Sequence, residues 1–405
     1  MQFIYADPGL RNNVGHHANI DRALISELRR RGIPLRVLAF GDVEPGLRAE
    51  LGAEPFFRWF LYFLSDGNPV SGWLNAFERG AAVTAADLGR LNEVGGDDLL
   101  YIPFALPAQL KAIALWLAMR PSGQLPRIAI GFTFAPGLDP QVNPNGTTWN
   151  ARDSRVDPSA VLFSHAASLL SQEQKNRMRA VFPDGQGAAL HGALLGLPSA
   201  TLPHYQQRTT SARNRAGARP ITISVLGHQR GTDKGYHLVP QLAAGLLQSH
   251  PGSRLLVHNA KSSDWPAAQD AVRAIAKTDP RIIVDENAHD GPAWTALQDR
   301  TDLLLLPYAP GPYHLMPSGL HGEAVANGIP SVVPAGTALA RIQAEFCGGG
   351  TTFAEWTVPS ILEATRRALD NFDALATAAY AGAEKWQQTQ GPVKIIDDLI
   401  AYWRS

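Results

Sequence analysis

Residues 302–334 read DLLLLPYAPGPYHLMPSGLHGEAVANGIPSVVP. Leu303 to Leu306 is a continuous apolar run ended by Pro307, the pattern of a strand covered on both faces. Ser331 to Val333, held between Pro330 and Pro334, predicts a second strand. Between the two, Ser318 predicts the cap of a helix that carries Glu323 in its first turns and ends near Asn327-Gly328. The loop Ala309 to Pro317 then falls at the carboxyl end of one strand, directly before a helix N-terminus. Open α/β sheets bind ligands at such places, and helix N–H groups there hold anions. A carboxylate one and a half turns into that helix is badly placed for a phosphate and well placed for the hydroxyls of a ribose.

The flanking sequence repeats the strand–helix alternation. Ile221 to Leu226 predicts a buried strand, followed by a helix over Tyr236 to Gln248, a strand over Arg254 to His258, a helix over Trp265 to Ala276, a strand over Ile282 to Val284 and a helix over Pro292 to Gln298. Past residue 334 the pattern gives helices near Leu339 to Phe346 and Val358 to Leu375. It ends in an amphipathic helix over Val393 to Trp403.

The first half has the same grain. Gln2 to Ala6 predicts a strand, the helix from Ile20 closes on Arg29, Arg30 and Arg31, and Leu35 to Ala39 predicts the next strand. That βαβ unit implies a parallel sheet with a right-handed crossover. Further strands are expected over Asp98 to Ile102, Arg127 to Gly131 and Val161 to Ser164, with helices over Ala108 to Met119 and Leu169 to Val181. Phe56 to Leu64 is dense in aromatics and reads equally as strand or helix. Residues 136–155 read as a long polar loop, a length that in compact domains goes with function or mobility. HYQQRTTSARNRAGAR at 204–219, almost without apolar residues and carrying Arg208, Arg213, Arg215 and Arg219, reads as a linker. The expected division is therefore 1–203, a linker 204–219, a second domain 220–390, and a terminal helix 391–405.

Composition narrows the function classes. At 405 residues the chain exceeds what one core usually supports. With 36 basic and 36 acidic residues its net charge is zero, so no nucleic-acid partner is expected. The single cysteine, Cys347, excludes an intramolecular disulfide and a multi-cysteine metal site, and fits a cytoplasmic setting. The opening MQFIYADPG reads as a strand rather than a signal peptide, and no apolar run approaches the roughly 20 residues of a membrane span. Peripheral membrane contact stays open.

A second candidate loop, Gly227-His228-Gln229-Arg230-Gly231-Thr232-Asp233-Lys234-Gly235, follows the strand that opens the second half. Arg230 as a fork and Lys234 as a point charge can clamp a diphosphate. It is neither a G-x-G-x-x-G fingerprint nor a P-loop. Set beside the first loop, it completes a nucleoside-diphosphate site, with Arg230 and Lys234 on phosphates and Glu323 on ribose.

VLGHQRGTDKG at 225–235 and SGLHGEAVANGIPSVV at 318–333 resemble the nucleotide-sugar-binding half of GT-B glycosyltransferases, especially the large retaining family that includes sucrose synthases and mannosyltransferases. The resemblance spans roughly residues 221–355. It implies an α/β chain of two Rossmann-like domains facing each other across a cleft. It also implies sugar transfer, with retention, from a UDP- or GDP-type donor to a hydroxyl of a glycan, lipid-linked or protein acceptor. Gly227, Arg230, Lys234, His314, Ser318, Gly319, Leu320 and Glu323 would hold the donor, joined by Gly15 from the first domain. The family's acidic pair is spaced E-x7-E. Glu323 matches its second member, whereas Leu315 stands at the first, which usually contacts the donor sugar.

In the first half, His16 and His17 precede a helix, His165 follows a predicted strand, and Asp7 and Asp139 are candidate bases. His16, His165 and Asp139 are the residues put forward for catalysis. No H-E-x-x-H or D-x-D motif occurs, so no metal is expected; Arg230, Lys234 and helix dipoles would neutralise the leaving group. Two rival readings share the fold: a nucleotide-sugar epimerase or hydrolase, and a catalytically inactive binding or scaffold subunit.

Overall fold

The computed structural model describes residues 2–13, 17–63, 69–132, 134–143, 146–203, 213–227, 231–260, 264–287, 289, 291–347 and 349–405. The chain divides into two compact units, one of Met1–Tyr205 with Pro392–Ser405, the other of Gln206–Gly391.

In unit 1 the strands are β1 (Phe3–Asp7), β2 (Leu35–Phe40), β3 (Ala53–Phe57), β4 (Leu99–Ala105), β5 (Arg127–Phe132), β6 (Leu138–Asn143), β7 (Gly146–Ala151), β8 (Met178–Phe182) and β9 (Ser199–Thr201). Among the described residues seven of them form one parallel sheet in the order β3-β2-β1-β4-β5-β8-β9. Strand order reverses between β1 and β4, which makes the carboxyl ends of those two strands the place where such sheets take ligands. Helices cover both faces. Phe3 and Tyr5 belong to one core cluster while Ile4 and Ala6 belong to another. That two-sided burial is why these strands read as unbroken apolar runs.

The terminal helix Pro392–Arg404 packs on unit 1 through Ile395, Ile396, Leu399, Tyr402 and Trp403. Trp403 meets Phe3 edge to face at 6.0 Å and donates its indole N–H to Asp97 O at 2.8 Å. The Tyr402 hydroxyl donates to the carbonyl of Arg177 at 2.7 Å.

Three local expectations fail here. Val161 to Ser164 lies inside the helix Ser159–Ser168, because a four-residue apolar run does not separate strand from buried helix. The helix expected over Leu169 to Val181 is instead a short helix Gln172–Asn176 followed by β8. Pairing of Met178 to Val181 between β5 and β9 outweighs local helix preference. The loop expected over 136–155 contains the antiparallel hairpin β6–β7, with Leu138 opposite Ala151. The ambiguous aromatic stretch opens in β3, where Phe56 and Phe57 are buried; Phe63 stays half exposed at 52%.

In unit 2 the strands are β10 (Thr222–Val225), β11 (Arg254–His258), β12 (Ile282–Asp285), β13 (Leu303–Leu305), β14 (Ser331–Pro334) and β15 (Gly350–Phe353). Among the described residues they form one parallel sheet, order β12-β11-β10-β13-β14-β15. Leu303 and Leu305 point into one core cluster and Leu304 and Leu306 into the other. Here too the strand order reverses, between β10 and β13. The described part of the arginine-bearing segment is not all solvated. Arg215 is buried, at 2% exposure, with its Nε donating to Thr301 O at 2.9 Å and its Nη1 to Asn327 O at 3.0 Å and Gly328 O at 3.2 Å. The low apolar content hid this, because a guanidinium can be buried when main-chain carbonyls receive it. Among the described residues no helix is long and apolar enough to cross a membrane.

Candidate functional site

The two loops singled out in the sequence follow β10 and β13, the neighbours between which strand order reverses in unit 2. Several contacts lock them together. Ala309 N–H donates to Asp233 O at 2.7 Å. The Tyr313 hydroxyl donates to Asp233 Oδ2 at 3.0 Å. Gly235 has φ of 65°, and a Cβ there would overlap the carbonyl oxygen of Pro307. That carbonyl accepts the Trp356 indole N–H at 2.8 Å. Only glycine permits both this backbone angle and this close approach.

Between the loops lies a cavity of about 310 Å³, lined by Gly227, Asp233, Lys234, Tyr308, Tyr313, Met316, Pro317, Ser318, Gly319 and Leu320. Ser318 caps the helix Gly319–Ala326, its hydroxyl accepting His321 N–H at 3.4 Å. Lys234 and the first residues of that helix therefore line one space, a set of groups suited to an anion. Among the expected donor residues, Gly227, Lys234, Ser318, Gly319 and Leu320 meet here. Arg230 and Gly15, like His16, lie outside the described residues.

Glu323 is not part of the lining. Its Oε2 accepts the Trp294 indole N–H at 2.9 Å and the Gln298 side-chain amide, both from the helix Gly291–Asp299. Burial pushes its carboxyl above the usual range, against the opposing effect of those two donors. Asn327 Nδ2 donates to the carbonyl of Glu323 at 2.8 Å and to Gln298 Oε1 at 3.3 Å, which completes a fixed network. His314 also lies off the cavity, with Nδ1 3.2 Å from Gly336 O and its carbonyl accepting Arg341 Nη2 at 2.8 Å. Leu315, at 1% exposure, is core.

The sequence reasoning missed Asp233, Tyr308 and Tyr313 as lining residues and Trp294 and Gln298 as partners of Glu323. Trp294 and Gln298 did carry a signal, four residues apart on one helix face. A second missed feature flanks the same network: His258 and His289 stack at 5.7 Å, and His289 Nε2 lies 2.8 Å from Asp285 Oδ1.

In unit 1 the candidates separate. His165 is exposed in the helix Ser159–Ser168, its ring 5.7 Å from Phe77, and so does not sit at a strand end. Asp139 lies on the hairpin and pairs with Arg152 at 2.7 Å. Asp7 and His17 do meet, at the reversal point between β1 and β4. His17 Nδ1 lies 2.6 Å from Asp7 Oδ2, and Nε2 lies 2.8 Å from the Tyr62 hydroxyl. With Nδ1–H donated to the carboxylate, Nε2 accepts from Tyr62. Asp7 also accepts Gly9 N–H at 2.7 Å. Beneath it Asp21, fully buried, accepts the Tyr5 hydroxyl at 2.6 Å. Burial, and then the charge of Asp7, hold the Asp21 carboxyl well above the carboxylate range. Tyr62 had no sequence signal, since it was one aromatic among many.

Two parallel sheets, each with a reversal point and each covered on both faces, match a known pair-of-domains architecture along the whole chain. Sucrose-phosphate synthase from Thermosynechococcus elongatus superimposes with a TM-score of 0.66 at 12% identity, over 100% of this chain and 98% of that one. The fold is GT-B. HepE from Anabaena, in complex with UDP, gives a TM-score of 0.60 at 13% identity over 99% of each chain. A UDP-forming α,α-trehalose-phosphate synthase from Burkholderia xenovorans gives 0.61 at 13% identity, over 100% of this chain and 99% of that one. Comparison of the sequence with family models and with curated protein sequences finds no match.

Proposed function

We propose that this GT-B chain transfers a sugar from a nucleoside diphosphate donor of the UDP or GDP type to an acceptor hydroxyl, in the cytoplasm. The observation that carries the reading is the cavity of unit 2, where Lys234 and the helix start at Ser318–Gly319 converge beside the reversal of strand order. A diphosphate fits that chemistry: cation on one side, helix N–H groups on the other. Glu323, whose Oε2 is taken by Trp294 and Gln298, would offer its other oxygen to ribose hydroxyls. HepE, in complex with UDP, and the UDP-forming trehalose-phosphate synthase lend support. Unit 1 carries the Asp7–His17–Tyr62 chain, which can take a proton from an acceptor hydroxyl.

The test is a thermal-shift screen of the full chain against nucleoside diphosphates and sugar nucleotides, followed by product analysis with and without acceptor. Transfer predicts a raised Tm and acceptor-dependent release of the nucleoside diphosphate. Release that ignores acceptor, or a changed sugar still joined to the nucleotide, would assign hydrolysis or epimerisation instead. Binding without turnover would assign a scaffold.

A further inference from the structure

The cavity in unit 2 contains a carboxylate that an anion site does not need. Asp233 lines it next to Lys234, Ser318 and Gly319. Its position is fixed twice, by Ala309 N–H on its main-chain oxygen at 2.7 Å and by the Tyr313 hydroxyl on Oδ2 at 3.0 Å. Tyr313 is itself only 3% exposed and stacks on Tyr308 at 4.7 Å, so packing holds it in place. Burial keeps its hydroxyl protonated and thus a donor. Among the described residues Asp233 Oδ1 has no hydrogen-bond partner, and it sits over Gly231, where a Cβ would come within 2.5 Å of it.

A carboxylate held against a phosphate-binding surface repels the phosphate. The same group is favourable when the ligand also brings hydroxyl donors, because each hydroxyl then meets a charged acceptor. Leu315, by contrast, is packed in the core at 1% exposure and offers the ligand no polar atom.

We propose that Asp233 is the residue that contacts the hydroxyls of the donor sugar in this chain, with Tyr313 as its positioning residue. The proposal rests on the donor-site reading of the same cavity. It assigns Asp233 the role of preferring a sugar nucleotide over the bare diphosphate.

Calorimetry on the full chain tests it, with UDP, GDP and a panel of their sugar nucleotides as probes, each with and without magnesium. Asp233→Asn keeps an acceptor for Tyr313 and so preserves the loop, which an unchanged Tm would verify. The expected result is an affinity for the sugar nucleotide that falls about tenfold, while affinity for the bare diphosphate holds or rises. Tyr313→Phe should move the ratio in the same direction by about threefold. Equal changes for both ligands would overturn the proposal, as would a wild type that prefers the bare diphosphate over every sugar nucleotide. An effect seen only with magnesium would overturn it too, by making Asp233 a metal ligand. If the wild type binds no nucleoside diphosphate at all, the donor-site reading falls and this falls with it. If it binds and the variant is indifferent, this proposal alone fails.

Discussion

Trp294 donates its indole N–H to Glu323 Oε2 at 2.9 Å, across 29 residues of sequence, and the Gln298 amide reaches the same oxygen. One oxygen of the carboxylate is thereby committed to the protein. Trp294→Phe keeps an aromatic ring but removes a donor from a half-buried acid. We expect nucleoside diphosphate affinity to drop about threefold to tenfold with little change in Tm, read by calorimetry. Glu323→Ala should lose at least as much, and an unchanged affinity in Glu323→Ala would refute its proposed role on the ribose.

Lys234 lines the cavity. Lys234→Ala is expected to weaken nucleoside diphosphate binding by about tenfold or more, roughly 1.4 kcal/mol or above, and to flatten its dependence on ionic strength. Retained affinity with an unchanged salt slope would show that the anion is held elsewhere.

Gly235 is the point of closest approach between the two loops. An alanine there would have to hold φ of 65° and would strike the Pro307 carbonyl. Gly235→Ala should therefore abolish ligand-induced stabilisation and lower unfolding free energy by about 2 kcal/mol or more. Gly46→Ala is the comparison, since a Cβ at Gly46 meets open space, and its denaturant midpoint should stay close to that of the wild type.

Arg215 holds three carbonyls distant in sequence, and that of nearby Arg213, from a buried position; burial lowers its pKa to about 10, so it remains charged at neutral pH. Arg215→Met would take the guanidinium donors away from the Thr301, Asn327 and Gly328 carbonyls. We expect a loss of about 2–4 kcal/mol in denaturant unfolding, and Arg215→Lys should recover little, because one ammonium cannot span the three acceptors.

His191 is fully buried in unit 1, stacked on Phe132 at 4.8 Å and on Phe182 at 4.7 Å, and burial lowers its pKa to about 4. A histidine depressed in the folded state stays neutral while the unfolded chain takes up a proton. Its stability contribution is complete above the unfolded value of roughly 6.5 and is lost as pH falls towards 4. The loss is on the order of 3 kcal/mol. His321 in unit 2, also lowered to about 4 by burial, adds to it. Denaturant midpoints between about pH 7 and pH 4.5 should fall less steeply in His191→Phe than in the wild type. Parallel slopes would contradict this account.

The parallel strands of unit 2 could be read from apolar runs at 221–226 and 303–306, because burial on both faces leaves a strand without polar alternation. The cap at Ser318 and the helix end at Asn327-Gly328 were equally local, each set by one side chain or one backbone angle. The hairpin β6–β7, the strand β8 and the helix carrying His165 were not, since short runs acquire their state from what they pair with.

Chemistry divides along the same line. Residue types at 227–235 and 318–323 were enough to raise a diphosphate and a ribose, because a lysine in a glycine loop and a capped helix start keep their character wherever they lie. Partners were another matter. Trp294 on Glu323, Tyr313 on Asp233, Tyr62 on His17 and three distant carbonyls on Arg215 each join residues far apart in the chain. No local pattern encodes such pairs; they exist because packing two sheets and their helices leaves each buried polar group one place to find its hydrogen bond.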